Sequence, residues 1–449
     1  MGDILMASMT FSRSTPESST TPAEAGAQRT SEILNEAIMD SVSSVRDSIP
    51  KQHREHFNTL RQEIIDFAKA HEIPKESLTK PDALREAASK LSTPDLERLA
   101  NLLERFEYLL KNKEPKKEDY TEALEHAERL YHLKEQYTSQ VALLEQVGIL
   151  KEGAITGIDG NTYPIPTLEQ IAVRLFERRK DLETKHDQGF TKLLLVPFGM
   201  SLDSLREILK QFLLKHKKDH PDFNLDTNQP LWTWEEYQGA DIGDSPKLVY
   251  EPQFFDKDNH QGRTKMQILE EQKTPGQAQS DNGRTGDDGQ GGDGGWKGWT
   301  IHLLQPSNLE SQDTETPTGF APIPREGQGT PQEDENHRPP LESGKNPIEY
   351  LSILQKAQND PNSPYFQESG MTPEDWIMAF MIHLTETGEP MDDWQNNKES
   401  ISYLTGAFFQ SSVAVPYAYW DHDHRRAGLN RNDPRNRVGF IGARSSVMI

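Results

Sequence analysis

The end of the chain carries the pattern that most narrows its fold. Between Tyr403 and Ile449, two apolar, strand-like pieces, around Ala407 to Val415 and Val438 to Ile449, bracket a segment crowded with Tyr, His, Asp, Asn and Arg. The middle segment has little to bury and many groups that hydrogen-bond. That contrast predicts a dense polar and aromatic loop held by a rigid frame, the arrangement a recognition surface needs. The rest of the chain reads as support or localisation for it.

Composition narrows the partners. The chain has 449 residues, enough for more than one domain, but only 33% are hydrophobic and the mean hydropathy is -0.80. Much of the length is therefore expected as exposed helix or disordered linker. A net charge of -23 argues against nucleic acid and anionic membrane surfaces, both of which repel such a chain. There is no cysteine, so disulfides, thiolate metal sites and cysteine nucleophiles are excluded. The N-terminus lacks a basic start followed by an apolar core, and no run is apolar enough to span a bilayer. A cytoplasmic location is expected, with the target then intracellular.

Residues 1–30, rich in Ser, Thr, Pro and Ala, predict a disordered tail. Helical spacing begins at Ser31, with Ile33, Leu34, Ile38 and Val42 on one face. A second helix carries Phe57, Leu60, Ile64 and Phe67 and stops before Pro74, and a third begins after Pro81. Thr93 and Pro94 open the next, striped with Leu96, Leu99, Leu103, Phe106 and Leu110. A long last helix is expected from Lys117 to Val147, closed by Gly148. Residues 31–150 thus predict a helical bundle or coiled-coil-like module. It is either self-contained or a module that forms homo-oligomers or binds a partner helix.

Residues 151–188 read as a connector with a small hairpin, Ile155 to Ile165, followed by a helix from Thr167 to His186. After Gly189 come strand candidates at Thr191 to Phe198, Leu231 to Trp234, Lys247 to Tyr250 and Trp299 to Leu304, and an amphipathic helix over Ser201 to Lys217. Segments at about 274–298 and 305–346, full of Gly, Asp, Gln, Pro and Thr, predict flexible insertions. Two further helices follow, one from Pro347. The other opens at Thr372 and Pro373, carries Trp376, Ile377, Phe380, Met381 and Leu384, and closes at Gly388 and Pro390. The fold class expected is α+β.

Candidate chemistry is sparse. If Asp421-His422-Asp423-His424 is extended, both imidazoles share one face, but no third or fourth metal ligand can be placed, and an exposed polar loop explains the run. Acidic pairs such as Asp392-Asp393 and Glu235-Glu236 are ordinary in a chain with 72 carboxylates. The glycine-rich run around residues 286–299 lacks the Lys-Ser/Thr of a phosphate loop. No catalytic residue, metal or cofactor is expected. Tyr417, Tyr419, Asp421, His422, Asp423 and His424 present groups for recognition, whereas Trp420, Arg426 and Arg444 suit internal bonds that knit the loop to its domain.

The order Trp420, Arg426-Ala427, Asn430-Arg431-Asn432-Asp433-Pro434, Arg437 and Gly439-Phe440-Ile441-Gly442-Ala443-Arg444 resembles the ending of the formylglycine-generating (sulfatase-modifying) type of C-type-lectin fold. Ala443 stands where that family carries an aromatic residue. The resemblance is specific over about the last thirty residues and extends over 189–449 by architecture. It implies a C-type-lectin-like domain following the helical module. The family's enzymes need cysteine chemistry, which this chain lacks. Its other branch, the variable proteins of diversity-generating retroelements, uses the fold as a binding scaffold, diversified where adenines in a C-terminal region are mutated. Tyr417 to Asn436 has that palette. The motif Lys192 to Gly199 and the Gly-Ala-Arg-Ser ending are also similar to those of a bacterial protein family.

The resemblance implies ligand binding through a diversified surface. Tyr417 and Tyr419 would supply stacking area, Asp421, His422, Asp423 and His424 polar specificity, and Asn430, Asn432 and Asn436 adaptable contacts. Trp420, Arg426, Gly442 and Arg444 would hold the frame. Rival expectations are an enzyme of this fold without the cysteine chemistry, or an assembly protein acting through its helices.

Overall fold

The computed structural model describes residues 45–46, 48–49, 53–71, 73–74, 91, 93–113, 117–272, 296–311, 315–329, 338–358, 360–393 and 400–449. The chain forms two compact units, Met1–Lys116 and Lys117–Ile449, and its class is α+β. The expected tail, the helices at Ser31 and after Pro81, and most of the glycine-rich insertion lie outside the described residues. Among the described residues, no helix is long and apolar enough to cross a membrane.

In the first unit, helices α1 (Arg54–Ala70) and α2 (Thr93–Asn112) form one apolar cluster, with Leu103 half-buried beside it. Phe57, Leu60, Ile64 and Phe67 from α1 meet Leu99, Phe106 and Leu110 from α2, with Leu102 and Leu109 beside them. The Phe57 and Phe106 rings stack at 5.2 Å.

The second unit starts earlier than the expected boundary near residue 150. The helix expected over Lys117–Val147 is two, α3 (Lys117–Tyr131) and α4 (Leu133–Gln146), because His132 adopts a left-handed conformation at φ 48°. No glycine or proline marks this break, although His tolerates that region better than most residues. The Glu128 carboxylate accepts the Lys134 N–H at the new helix start. A hairpin follows, β1 (Ala154–Thr156) against β2 (Thr162–Pro164). Next come α5 (Leu168–Glu177) and α6 (Arg179–Asp187), again two helices where one was expected.

Four strands then build one sheet in the order β3 (Lys192–Val196), β6 (Thr300–Leu304), β13 (Ser445–Met448), β7 (Glu368–Gly370), all antiparallel neighbours. The outer edge of β3 is covered by helix α4. Gln136 donates to the Thr191 carbonyl and accepts the Leu193 N–H; Gln140 donates to the Leu193 carbonyl and accepts the Leu195 N–H. Four helical residues rise about 6 Å and two strand residues about 6.6 Å, so glutamines at i and i+4 match the strand's repeat and satisfy an edge that would otherwise be open. These bonds explain why α4 belongs to the second unit.

A mixed five-stranded sheet runs β12 (Ile441–Ala443), β8 (Ile401–Tyr403), β10 (Val415–Asp421), β11 (Arg426–Asn432), β4 (Leu231–Thr233). Strands β5 (Leu248–Tyr250) and β9 (Ala407–Phe409) form a separate pair. Helix α10 (Pro373–Thr387) packs against both β3 and β10, and against α7 (Leu202–Asp219). It starts with the expected Thr372 cap, completed by Asp375, and ends at Gly388 in the left-handed region. Short helix α8 (Lys265–Glu271) buries the Lys265 ammonium against Asp241 and Glu374. Helix α9 (Pro347–Gln358) places Tyr350 in a second apolar cluster with Ile401, Tyr403, Val415 and Ile441, on part of the five-stranded sheet's other face.

The described parts of the segment expected to be flexible, 305–346, are packed. Phe320, Ile323 and Leu341 are buried. Arg338 lies between the Phe190 and Tyr365 rings and forks onto Glu368, which also accepts from Lys185. Burial alone would raise the Glu368 carboxyl; Arg338 and Lys185 hold it below the usual range. Composition pointed to a linker because these contacts join residues far apart in sequence.

The Phe320 turn is fastened to α10. Gly319 N–H donates to Glu386, and Phe320 N–H to His383 Nδ1 at 2.9 Å. Burial, with Arg444 and Lys192 adding to it, lowers the His383 imidazole from 6.5 to about 4. A histidine whose pKa falls on folding stabilises in full above its unfolded value and loses that contribution as pH drops through the folded one. The difference corresponds to about 3 kcal/mol, present above pH 6.5 and lost towards about pH 4. Denaturant midpoints of the parent and His383→Gln, measured from neutral to acid pH, are therefore expected to converge as the pH falls. A gap independent of pH would show that His383 is not buried neutral.

Candidate functional site

The segment expected as a loop between strands is itself a hairpin. Strands β10 and β11 pair from Val415 opposite Asn432 to Asp421 opposite Arg426. Alternate residues therefore share a face. Ala418, Trp420, Ala427 and Leu429 are buried on the inner side. Trp420 packs against Phe380 of α10 and against Phe223. This period-two pattern is legible afterwards; the abundance of polar neighbours hid it.

The outer side carries Tyr417, Tyr419, Asp421 and Asn430 of the residues singled out for recognition. Tyr417 and Tyr419 stack at 5.8 Å, and Tyr403 meets Tyr417 edge-on at 6.2 Å. In register with them on β11 stand Asn430 and Gly428, and Gly428 pairs in turn with Trp232 of β4. Both tyrosines are half-buried, and burial raises their hydroxyls above the usual range, with the Asn430 amide opposing the rise. They are neutral donors and acceptors at neutral pH. Tyr403, Trp232 and Gly428 were not anticipated as parts of this face. Trp232 is brought in by a parallel pairing across nearly two hundred residues, which no local pattern shows.

At the hairpin tip, residues 422–425 turn instead of continuing the strand, with Arg425 in the left-handed region at φ 53°. The two histidines therefore do not share a strand face. Asp421 accepts from the His424 N–H and imidazole at 3.1 and 2.9 Å. His422 Nδ1 lies 3.1 Å from Asp393. Asp423 is exposed at the tip. Among the described residues, no group of three or more His, Asp or Glu is placed to hold a metal ion.

The asparagines divide. Asn430 lies among the tyrosines, and its Oδ1 accepts the Arg431 N–H. Asn432 donates to the Tyr403 hydroxyl at 2.8 Å and accepts from Asn436 at 3.1 Å, so these two shape the turn after β11. Of the residues assigned to the frame, Trp420 is inside, and so is Arg444, which bonds Asp392 at 2.7 Å and the Ala321 carbonyl. Gly442 has no room for a Cβ, which would lie 2.4 Å from Ile323 Cγ2. Arg426 differs: its register places it on the outer face, beside Asp421 and bonded to Gln229.

No family model, characterised protein or solved structure matches this chain.

Gly428 is the tightest point of the face. A Cβ there would lie 2.5 Å from the Tyr419 ring, so the glycine is what lets that ring lie across β11. Gly428→Ala is expected to push the half-exposed Tyr419 ring aside at a cost below about 1 kcal/mol, read as a slightly lowered denaturation midpoint. Adding Tyr419→Ala should return part of that loss, as contacting residues couple in a double-mutant cycle. Additive effects would mean the ring does not lie over the glycine.

Proposed function

We propose that the protein is a binding protein, not an enzyme, and that its recognition surface is the outer face of the β10–β11 hairpin. Tyr417, Tyr419 and Trp232 supply flat contact area; Asn430, Asp421 and Arg426 supply hydrogen bonds and charge; the tip residues His422, Asp423 and His424 extend the reach. One observation carries the reading. Within a single hairpin, the inward residues are locked to the core while the alternate residues form a half-open aromatic and polar face. Rigid aromatic side chains on strands bind with little loss of conformational freedom.

We further infer that the second unit is a C-type-lectin-type domain and that its hairpin is the diversified region of a retroelement-encoded variable protein. In support of the fold, the final strand β13 lies in one sheet with the early strands β3 and β6, helices α7 and α10 pack beneath, and the hairpin belongs to the other sheet. In support of diversification, Tyr417, Tyr419, Asp421, His422, Asp423, His424 and Asn430 fall on the outer face and tip, where replacement disturbs the core least.

Sequencing the gene's surroundings tests this reading. A reverse transcriptase gene is expected nearby, with a near-copy of the codons for residues 417–436 that differs at adenines. Sister genes that keep 417–436 constant while the remainder drifts would instead favour a fixed active site.

A further inference from the structure

The inner side of the same hairpin borders a second feature, a cleft of about 460 Å³. That volume suits a small ligand or one long side chain. Its walls come from the end of α7 and the segment after it. His216 and His220, one helical turn apart, lie with ring centroids 4.4 Å apart, and Phe223 stands edge-on to His216 at 4.9 Å. Trp420 closes the far side, 5.3 Å from Phe223. The cleft is thus lined by flat ring surfaces.

Its polar groups are mostly acceptors. Asp222, Glu389 and Asp393 border it, His422 reaches in from the hairpin tip beside Asp393, and no Lys or Arg is among the residues lining it. His216 is only 9% exposed, and among the described residues its ring nitrogens find no hydrogen-bond partner. Burial, with His220 adding to it, holds that imidazole below its usual range, so at neutral pH it offers a lone pair. Neither ring nitrogen is sealed from water, so a donor entering the cleft would take the place of water there.

We propose that this cleft binds a guanidinium group, free or carried on an arginine side chain. A guanidinium is planar, stacks on aromatic faces, and directs several N–H donors at once. Here the flat face would lie against Phe223, with the buried Trp420 behind it, and the N–H groups would reach Asp393 and His216. A rounder ammonium would use the ring faces less well, and an anion would meet three carboxylates. The inference does not rest on the reading of the outer face, since Trp420 points to the opposite side of β10 from Tyr417 and Tyr419.

Calorimetric titration of the full-length protein with butylguanidinium, with acetyl-Gly-Arg-Gly-amide and with neutral butylurea tests the site. Saturable binding of either cation below about 10 mM, none of butylurea, and weakening of at least about tenfold in Asp393→Asn are expected. A thermal melt confirms that the variant is folded. Tighter binding of the peptide would support an arginine on a protein partner; tighter binding of butylguanidinium would support a free small molecule. In the unaltered chain labelled at histidine, the His216 ring resonances, assigned by their loss in His216→Gln, should move during the titration. The proposal is overturned if neither cation saturates, if butylurea binds as well, if Asp393→Asn binds as the parent does, or if the His216 resonances stay fixed.

Discussion

The second unit depends on one buried carboxylate. Asp392 is fully buried, in the left-handed region at φ 60°. Its side chain accepts the Trp376 indole N–H at 2.8 Å and the Arg444 guanidinium at 2.7 Å, and its carbonyl accepts the Trp420 N–H at 3.2 Å. One residue therefore ties the central helix α10, the inner side of the hairpin, and the corner where the chain passes from β12 to β13. Burial outweighs these partners and holds the Asp392 carboxyl above its usual range. A buried pair of this kind adds little net stability against an apolar replacement, but losing one partner strands the other at a cost of about 3–5 kcal/mol. Its contribution is to position: it sets where the hairpin leaves the core.

Two further ionic knots have the same character. Lys265 bonds Asp241 and Glu374 beneath α10, and Glu368 gathers Lys185, Arg338 and Ser445. Each joins segments distant in sequence and is held by several hydrogen bonds, although Asp241 Oδ1 and Glu374 Oε2 are buried without one. The surface strands can then carry polar side chains outward without loosening, because the frame is fixed from behind.

How much of this could be read from the residues follows from the range of the forces involved. Strand β3 and helices α7 and α10 were legible because apolar runs, helical spacing and the caps at Ser201 and Thr372 are local signals. Trp420, Gly442 and Arg444, read from the sequence as frame, are buried. The hairpin was not legible, because Ala418 and Ala427 give only a faint apolar alternation. The packing of Phe320, Ile323 and Arg338 was hidden for another reason: its partners His383, Gly442 and Glu368 lie tens of residues away or more. The break at His132 had no breaker residue to announce it. The imidazole pair His216 and His220 did have a signal, its i, i+4 spacing, but spacing alone does not disclose a cleft.

A fixed frame and a replaceable face meet within one hairpin, and amide hydrogen exchange measures their separation directly. In a variant with Tyr417, Tyr419, Asp421 and Asn430 all changed to serine, protection of the Trp420, Ala427 and Leu429 amides should fall by no more than about a hundredfold relative to the parent, because local stability follows the buried contacts. Exchange of those amides at the rate of the exposed tip residues would show that the outer side chains hold the hairpin together, and would contradict the account.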